Sequence, residues 1–551
     1  MVYGIVISLV LALISLAPQA WAATYTANSC NNTAATPDVQ NAINLAKNSG
    51  DIVLIPAGTC SWSVTVWMPL DHDITLMGSG SMPSIGAATS GGTTITVDST
   101  NNSQYLAAFE VPTGHHTVAN LTFEIVKGTQ LDSNGMLYIG PRNNGLGNDT
   151  LSDPIVIMHH ISVRQHESRA GHWLTVAGWP RALIYRVDVR NDVTWTSGGA
   201  NSTGPTVQIV ARDPSVSWLN PSIYGMADTN GARNVYIETS NFANTASAFD
   251  FTAGSRAVAR YNTFTDAVIA DHGKDSGNHG NRTFEIYNNT FVCGPIPWAN
   301  MGWYISRGGT GVIADNIAPG AAQCWPGIGP RWGGLVRVLR TPQGYTAATT
   351  TGTLTSGSPT ITNMGSTAGF LGPNGGRPGQ IIWGAFIPPG ALVKSVDSAT
   401  QITLTANATG SGSGQAVSVA DCYPGPHPWL DQQGWGWAGS GSEWDQVLEP
   451  IYIWNNKATV GGTAGEADTY SAFDPTGLVG CSFDNSSQTS AGYIQQNREY
   501  YLGVPKPGYV KFTYPHPLAT VTATDAVPPP AAPPAPAVPP VPAAPTGLTV
   551  R

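Results

Sequence analysis

Charge is scarce in this chain: 25 Lys and Arg and 34 Asp and Glu make up 11% of 551 residues. That composition leaves little for long charged helices. A net charge of −9 argues against general nucleic-acid binding, which needs a basic surface. Apolar runs long enough to span a membrane are also missing, since the one sustained run, residues 5–16, is too short. None of the six cysteines, Cys30, Cys60, Cys293, Cys324, Cys422 and Cys481, lies in a CxxC or Cys/His spacing that would suggest zinc. They suit disulfides in an oxidising compartment, and pairing neighbours in sequence is one arrangement among many.

What is present points the same way. The 5–16 run followed by Ala20-Trp21-Ala22 has the form of a secretion signal with an A-x-A cleavage site, although its first residues carry no Lys or Arg. The mature chain is therefore expected to be exported and to begin at Ala23. Gly (63) and Pro (42) are abundant, as in a loop-rich β-protein.

One short pattern recurs between Gly178 and Ala318. Residues 177–189, 232–242, 253–264, 279–291 and 310–318 each carry a β-like run closed by a small polar turn and an apolar residue. Ser240, Asn262, Asn289 and Asn316 fall in one column, and Asn456 of EPIYIWNN matches it. Apolar residues at helical spacing are absent from these copies. Alternation places Val235, Ile237, Ala257, Ala259, Phe284 and Ile286 inward. It places Tyr236, Glu238, Val258, Arg260, Glu285 and Tyr287 outward. A unit of this size cannot bury its apolar face alone and must stack on its neighbours. The expected fold is all-β, a right-handed parallel β-helix, with the Asn column stacking its amides from coil to coil. A Thr36 N-cap, Pro37 at the first helical position and Val39, Ala42, Ile43 and Ala46 predict one helix over 37–47 that covers the open end.

The helix, then GDIVLIPAGT (50–59), then ITLMGSG (74–80) resembles the N-terminal portion of the pectate-lyase-like superfamily of secreted β-helix proteins. The resemblance covers roughly residues 36–340 and resumes at 449–518. It implies a fold more than an activity, because the superfamily includes lyases, hydrolases, tailspikes and adhesins. The NTD, DD, GHG and RIK set of polygalacturonases and the RxPxxR of pectate lyases are both absent, so pectin specificity does not carry over.

The expected organisation is a signal over 1–22, a first part of the helix over 23–346 and a small inserted β-domain over 347–420. The helix then returns and closes over 421–526, and a Pro/Ala-rich tail runs over 527–551. The insertion is Thr/Ser/Gly-rich and almost uncharged, which suits a spacer better than a carbohydrate-binding module.

Chemistry is expected in a second row of strands from the same coils. WLTVAG (173–178), QIVARD (208–213), FDFTAG (249–254), IADHGK (269–274) and YISRGG (304–309) align on their closing turns. That alignment gathers Arg212, His272 and Arg307 near the strand ends, with Asp271 one residue before them and Asp250 three. Lys274, Asp275, His279 and Arg282 follow in the next loop. The catalytic candidates are Asp250, Asp271, His272, Lys274, Asp275 and Arg307. Candidate substrate contacts are Arg212, Glu238, Arg260, His279, Arg282 and Tyr304, although Arg282 also belongs to an Arg column (Arg181, Arg233, Arg256) that reads as structural.

A lyase acting on a uronic-acid polymer needs a base beside the carboxylate and a cation to neutralise the enolate. His272, Lys274 or Arg307 can serve as that base, and Asp250 with Asp271 as ligands for Ca²⁺. A hydrolase needs two carboxylates instead, from Asp250, Asp271 and Asp275. A second group, His159, His160, Arg164, His166, Glu167, Arg169 and His172, is dense but lacks regular ligand spacing, and His159 and His160 are expected on opposite faces. A non-catalytic binder would use Trp429, Trp435, Trp437 and Trp444 as stacking surfaces. Cationic residues outnumber suitably placed carboxylates, so polysaccharide cleavage by β-elimination is the expectation, with hydrolysis and adhesin-like binding as alternatives. Oligomeric state is not legible.

Overall fold

The computed structural model describes residues 22–69, 71–80, 92–99, 107–109, 116–128, 136–140, 155–166, 172–177, 181–192, 206–210, 231, 234–252, 254–271, 281–292, 304–306, 308–319, 336–338, 346–373, 379–420, 432–437, 446–460, 463–466, 470–472 and 494–519. The signal, the tail and the four cysteines beyond Cys60 lie outside these residues.

Most described strands join one large sheet whose pairings are parallel, apart from a hairpin of Lys457–Val460 with Thr463–Glu466. Successive coils stack strand on strand, the arrangement of a β-helix or solenoid. Each coil contributes to three faces. Face A includes Asp51–Ile55, Val235–Glu238, Arg256–Arg260, Thr283–Tyr287, Thr310–Ala314 and Ile451–Trp454. Face B follows one sharp turn later and includes residues 161–165, 187–191, 241–243 and 263–265 and Thr290–Val292. Face C includes His172–Ala177, Thr206–Val210, residues 249–252 and 269–271, Tyr304–Ser306 and Val336–Val338.

The inward alternation on face A holds: Val235, Ile237, Ala257, Ala259, Phe284 and Ile286 all belong to the main core. On face B the core is an aromatic column. Phe242, Phe264 and Phe291 stack with centroids 5.5 and 4.9 Å apart, and Phe249 of face C meets Phe242 edge-on at 4.7 Å. Edge-on and offset rings fill a narrow coil interior without the repulsion of a face-to-face sandwich.

The A–B corner explains the Asn column. At each turn one non-glycine residue takes a left-handed conformation: Thr239, Tyr261, Asn288, Asp315 and Asn455 have φ between 52 and 56°. The next residue is Ser240, Asn262, Asn289, Asn316 or Asn456, all buried. The Asn262 backbone N–H donates to Asn289 Oδ1 at 3.0 Å, that of Asn289 to Asn316 Oδ1 at 2.9 Å, and that of Asn316 to Asn456 Oδ1 at 3.1 Å. Each amide also donates Nδ2 to a carbonyl of the preceding coil, as Asn289 does to Ala259. The column therefore satisfies a buried corner on both sides.

The helix spans Asp38–Leu45, shorter than expected, and Pro37 stands at its cap without a side-chain bond. Thr36 is not the N-cap; Asn32 Oδ1 accepts from the Gln40 backbone N–H at 3.1 Å instead. Val39, Ala42 and Ile43 join the first coils in the core, next to the Cys30–Cys60 disulfide. Residues 346–420 form two antiparallel three-stranded sheets around a separate core that includes Leu354, Phe370, Val393, Ile402 and Val417.

After Tyr500–Leu502 pairs with Ile451–Trp454, the chain turns back across the outside of face A. Tyr509 donates to Glu285 (2.7 Å), Lys511 reaches Asn288 and Asp315, Phe512 accepts from Arg260, and Tyr514 stacks on Tyr261. The His516 backbone N–H donates to Glu238 Oε1. Residues 503–519 thus form a strap over four coils.

Candidate functional site

The strap decides the fate of two expected substrate contacts. Glu238 and Arg260 do point out of the coil, but they are 1% and 0% exposed and pair at 2.7 Å beneath it. Arg260 also donates to Tyr287 and to the Phe512 carbonyl. Burial opposes the guanidinium charge, yet the neighbouring Tyr287 and Glu238 raise its proton affinity overall. Both residues are committed to each other and to the strap, which leaves them no role toward a polymer in this arrangement. Arg282 is likewise buried, forked onto Glu449 at 2.7 and 3.0 Å, which fits its structural reading.

Face C corrects the expected pairing of carboxylates. The ladder sets Gln208 beside Asp250 and Asp250 beside Ala270, whereas the alignment of turns had Gln208 beside Phe249. A bulge between His172 and Leu174 shifts the strand before it further. Asp271 stands beside Phe251, whose ring is in the core, so Asp271 faces inward while Asp250 faces outward. Asp271 is fully buried and accepts from Asn281 Nδ2 at 2.5 Å and from the Tyr304 hydroxyl at 2.8 Å. Burial and then the Asp271 charge push the Tyr304 phenol well above its ordinary range. Tyr304, packed at 4.6 Å on Phe284, is an interior residue rather than a substrate contact.

Two carboxylates on opposite faces of a sheet do not share one ion, so a Ca²⁺ held by Asp250 and Asp271 together does not fit. Among the described residues no group of three or more His, Cys, Asp or Glu has the geometry to hold a metal. His272, Lys274, Asp275, His279, Arg307 and Arg212 lie outside the described residues.

What gathers on the outside of face C is a different set. His172 Nε2 lies 3.6 Å from Asp250 Oδ2, within ion-pair reach. Asp250 is 5% exposed, and the His172 side chain is 19% exposed. Thr175 and Thr252 stand on the same outward side, because Leu174, Val176 and Phe251 between them point into the core. Among the described residues, the buried Thr175 Oγ1, Thr252 Oγ1 and His172 Nδ1 have no hydrogen-bond partner. Unsatisfied buried polar groups are uncommon and costly; others occur on face B, as at Ser162 Oγ and Arg164 Nη1, and it is their company with the His172–Asp250 contact that marks this row as the candidate site. His172 was legible only as part of a histidine-rich segment. Its approach to Asp250 depends on the bulge, which no periodicity reveals.

The rest of that segment divides. His159 and His160 do not point apart: their Nδ1 atoms are 2.7 Å from each other because His160 takes a left-handed φ of 52° at the A–B corner. On face B, Arg164 pairs with Asp188 at 2.6 Å, and His166 lies between Glu124 and Asp192. These charges cross-link three coils. Glu167 and Arg169 lie outside the described residues. Of the Trp candidates, Trp435 is buried and donates its indole N–H to Glu499, so it is no stacking surface. Trp429 and Trp444, and the side chain of Trp437, lie outside the described residues.

Compared with family models, curated proteins and solved structures, the chain matches none. Among the described residues no helix is long and apolar enough to cross a membrane.

Proposed function

We propose that this chain is a secreted, right-handed parallel β-helix of the pectate-lyase-like kind that cleaves a uronic-acid-containing polysaccharide by β-elimination along the outside of face C. The observation that carries the reading is the His172–Asp250 contact on an outward row with unsatisfied hydroxyls. In this reading the His172 imidazole takes the proton beside the sugar carboxylate. The C–H electron pair becomes the new carbon–carbon double bond as the glycosidic C–O bond breaks, and the departing oxygen takes up a proton. Asp250 orients the imidazole and stabilises its protonated form. Thr175 and Thr252 hydrogen-bond sugar hydroxyls.

Hydrolysis ranks lower because it needs two carboxylates flanking one bond, and the inward turn of Asp271 takes away the pair on adjacent coils. The reading is tested by incubating the protein with acidic and neutral polysaccharides, with and without a chelator. Ultraviolet absorbance from an unsaturated product is expected from an acidic polymer only, falling roughly 10²–10⁴-fold in His172→Ala while the circular dichroism spectrum holds. Reducing ends without that absorbance would indicate a hydrolase, and binding without turnover an adhesin.

A further inference from the structure

Sequence places a cleavage site after Ala22, in Ala20-Trp21-Ala22. Structure places the Ala23 backbone nitrogen 2.9 Å from Asp51 Oδ1. Asp51 is fully buried at the start of the second face A strand, and its other oxygen accepts from the backbone N–H groups of Lys47 and Asn48 at 3.0 and 2.9 Å. This carboxylate thus sits in a cradle of neutral donors. The Ala23 carbonyl is itself fixed by the Ile52 N–H at 2.8 Å, which holds residue 23 in register beside Asp51. Ala22, by contrast, is exposed.

We infer that Ala22–Ala23 is a maturation site and that cleavage there turns a backbone hydrogen bond into a partly buried ion pair between the new Ala23 α-ammonium and Asp51. Hydrolysis by an export protease selective for small residues consumes one water. It leaves a carboxylate on Ala22, which departs with the leader, and a protonated amine on Ala23. The amide donor at 2.9 Å becomes an ammonium with three donors and a full charge, and charge-assisted bonds of this kind are about twice as strong as neutral ones. A buried carboxylate without a cation bears a desolvation cost that a cation in contact offsets. Removing the leader therefore tightens the first coil, the one on which the capping helix and all later coils stack.

The inference rests on the export part of the proposed function, and its tests separate the two. The full chain is expressed with export, and the exported protein is sequenced from its N-terminus; Ala23 is the expected first residue. An Ala20→Leu variant, which blocks cleavage, is compared by thermal melting with the cleaved protein, each with Asp51 and with Asp51→Asn. Cleavage is expected to raise Tm by about 2 °C when Asp51 is present and to have no effect in Asp51→Asn. Should Asp51→Asn fail to fold, acylation of the Ala23 amine at neutral pH supplies a second readout, expected at least tenfold slower in native than in unfolded protein. A chain that stays in the cell overturns the export reading and this inference together. An exported chain that begins at another residue, or equal melting of cleaved and uncleaved forms with Asp51 intact, overturns this inference alone.

Discussion

The A–B corner and the outside of face C both line up polar side chains from coil to coil, and they treat them in opposite ways. At the corner every amide of the Asn262, Asn289 and Asn316 series donates and accepts, so that each coil completes the hydrogen bonds of the next. On face C, Thr175, Thr252 and one nitrogen of His172 are sealed from solvent and left without partners among the described residues. A satisfied polar column is a structural device, since nothing further is needed to hold it. An unsatisfied one carries a cost that the fold sustains, and that cost is recovered when a ligand supplies the missing partners. Between these two columns, satisfaction rather than polarity or density of charge separates scaffold from candidate site.

The largest effect is expected where a satisfied pair is broken most completely. Arg260→Ala leaves Glu238 charged and buried under the strap, with only the His516 N–H among its described donors. Removing one partner of a buried pair costs roughly 3–5 kcal/mol, and the variant is expected to release residues 503–519 to proteolysis well before the coils melt. Chemical denaturation with limited proteolysis checks both. A strap that stays protected in Arg260→Ala would mean that its aromatic contacts, Tyr514 on Tyr261 and Phe512 on Tyr236, suffice.

Next comes the corner itself. Asn289→Ala removes the acceptor of the Asn262 N–H and the donor to the Ala259 carbonyl, leaving both buried. Unmade bonds to buried groups cost about 1–3 kcal/mol each. A loss of about 3 kcal/mol by urea denaturation is expected, with turnover per folded molecule unchanged. A loss of turnover without loss of stability would reverse the assignment of scaffold and site.

The corner was readable in the sequence because its chemistry repeats in step with its geometry. Ser240, Asn262, Asn289 and Asn316 share one spacing logic, and Asn456 rejoins it although residues 346–420 intervene. The inward and outward residues of face A were readable for the same reason. Face C was not, because its strands are offset by a bulge, and a slip of one residue exchanges inside for outside. Asp250 and Asp271 were read as one carboxylate pair, but the ladder sets Asp271 beside Phe251, one strand position on from Asp250, and that single position puts the two on opposite faces. The burial of Glu238 and Arg260 had no local signal at all, since the partners that cover them come from the far end of the chain. His160 illustrates a third limit: a left-handed turn at a histidine is invisible to strand alternation.

A smaller effect is expected from pH at the first coil. Burial alone raises the proton affinity of Asp51, but the N–H groups of Ala23, Asn48 and Lys47 outweigh it and hold its carboxyl below the ordinary value. A carboxyl lowered in the folded state stabilises the fold above the unfolded value and loses that contribution as pH falls through the folded one. Asp51→Asn is therefore expected to melt earlier than the parent near neutrality, with the gap closing below about pH 4. Thermal melts across that range check the sign, and a gap that widens in acid would contradict it.

The smallest effect is the most discriminating, because its sign differs between the two regions. Valine has nearly the shape of threonine and lacks the hydroxyl. At a satisfied position that exchange removes hydrogen bonds and costs stability. At Thr175 or Thr252 the hydroxyl oxygen is buried without a partner, so the exchange relieves a desolvation cost and adds a methyl group to a packed outer row. Thr175→Val and Thr252→Val are each expected to leave stability unchanged or raise it by up to about 1 kcal/mol, while weakening polymer cleavage through KM more than through kcat, because a hydroxyl that only holds the sugar contributes to binding. Urea denaturation and steady-state kinetics on the same two proteins read both quantities. If either variant is destabilised by more than about 1 kcal/mol with kinetics intact, the hydroxyl has a structural partner and the distinction between the two columns fails at that residue. If stability rises and cleavage weakens, face C is sustaining a cost for a ligand, which is what separates it from the asparagine corner.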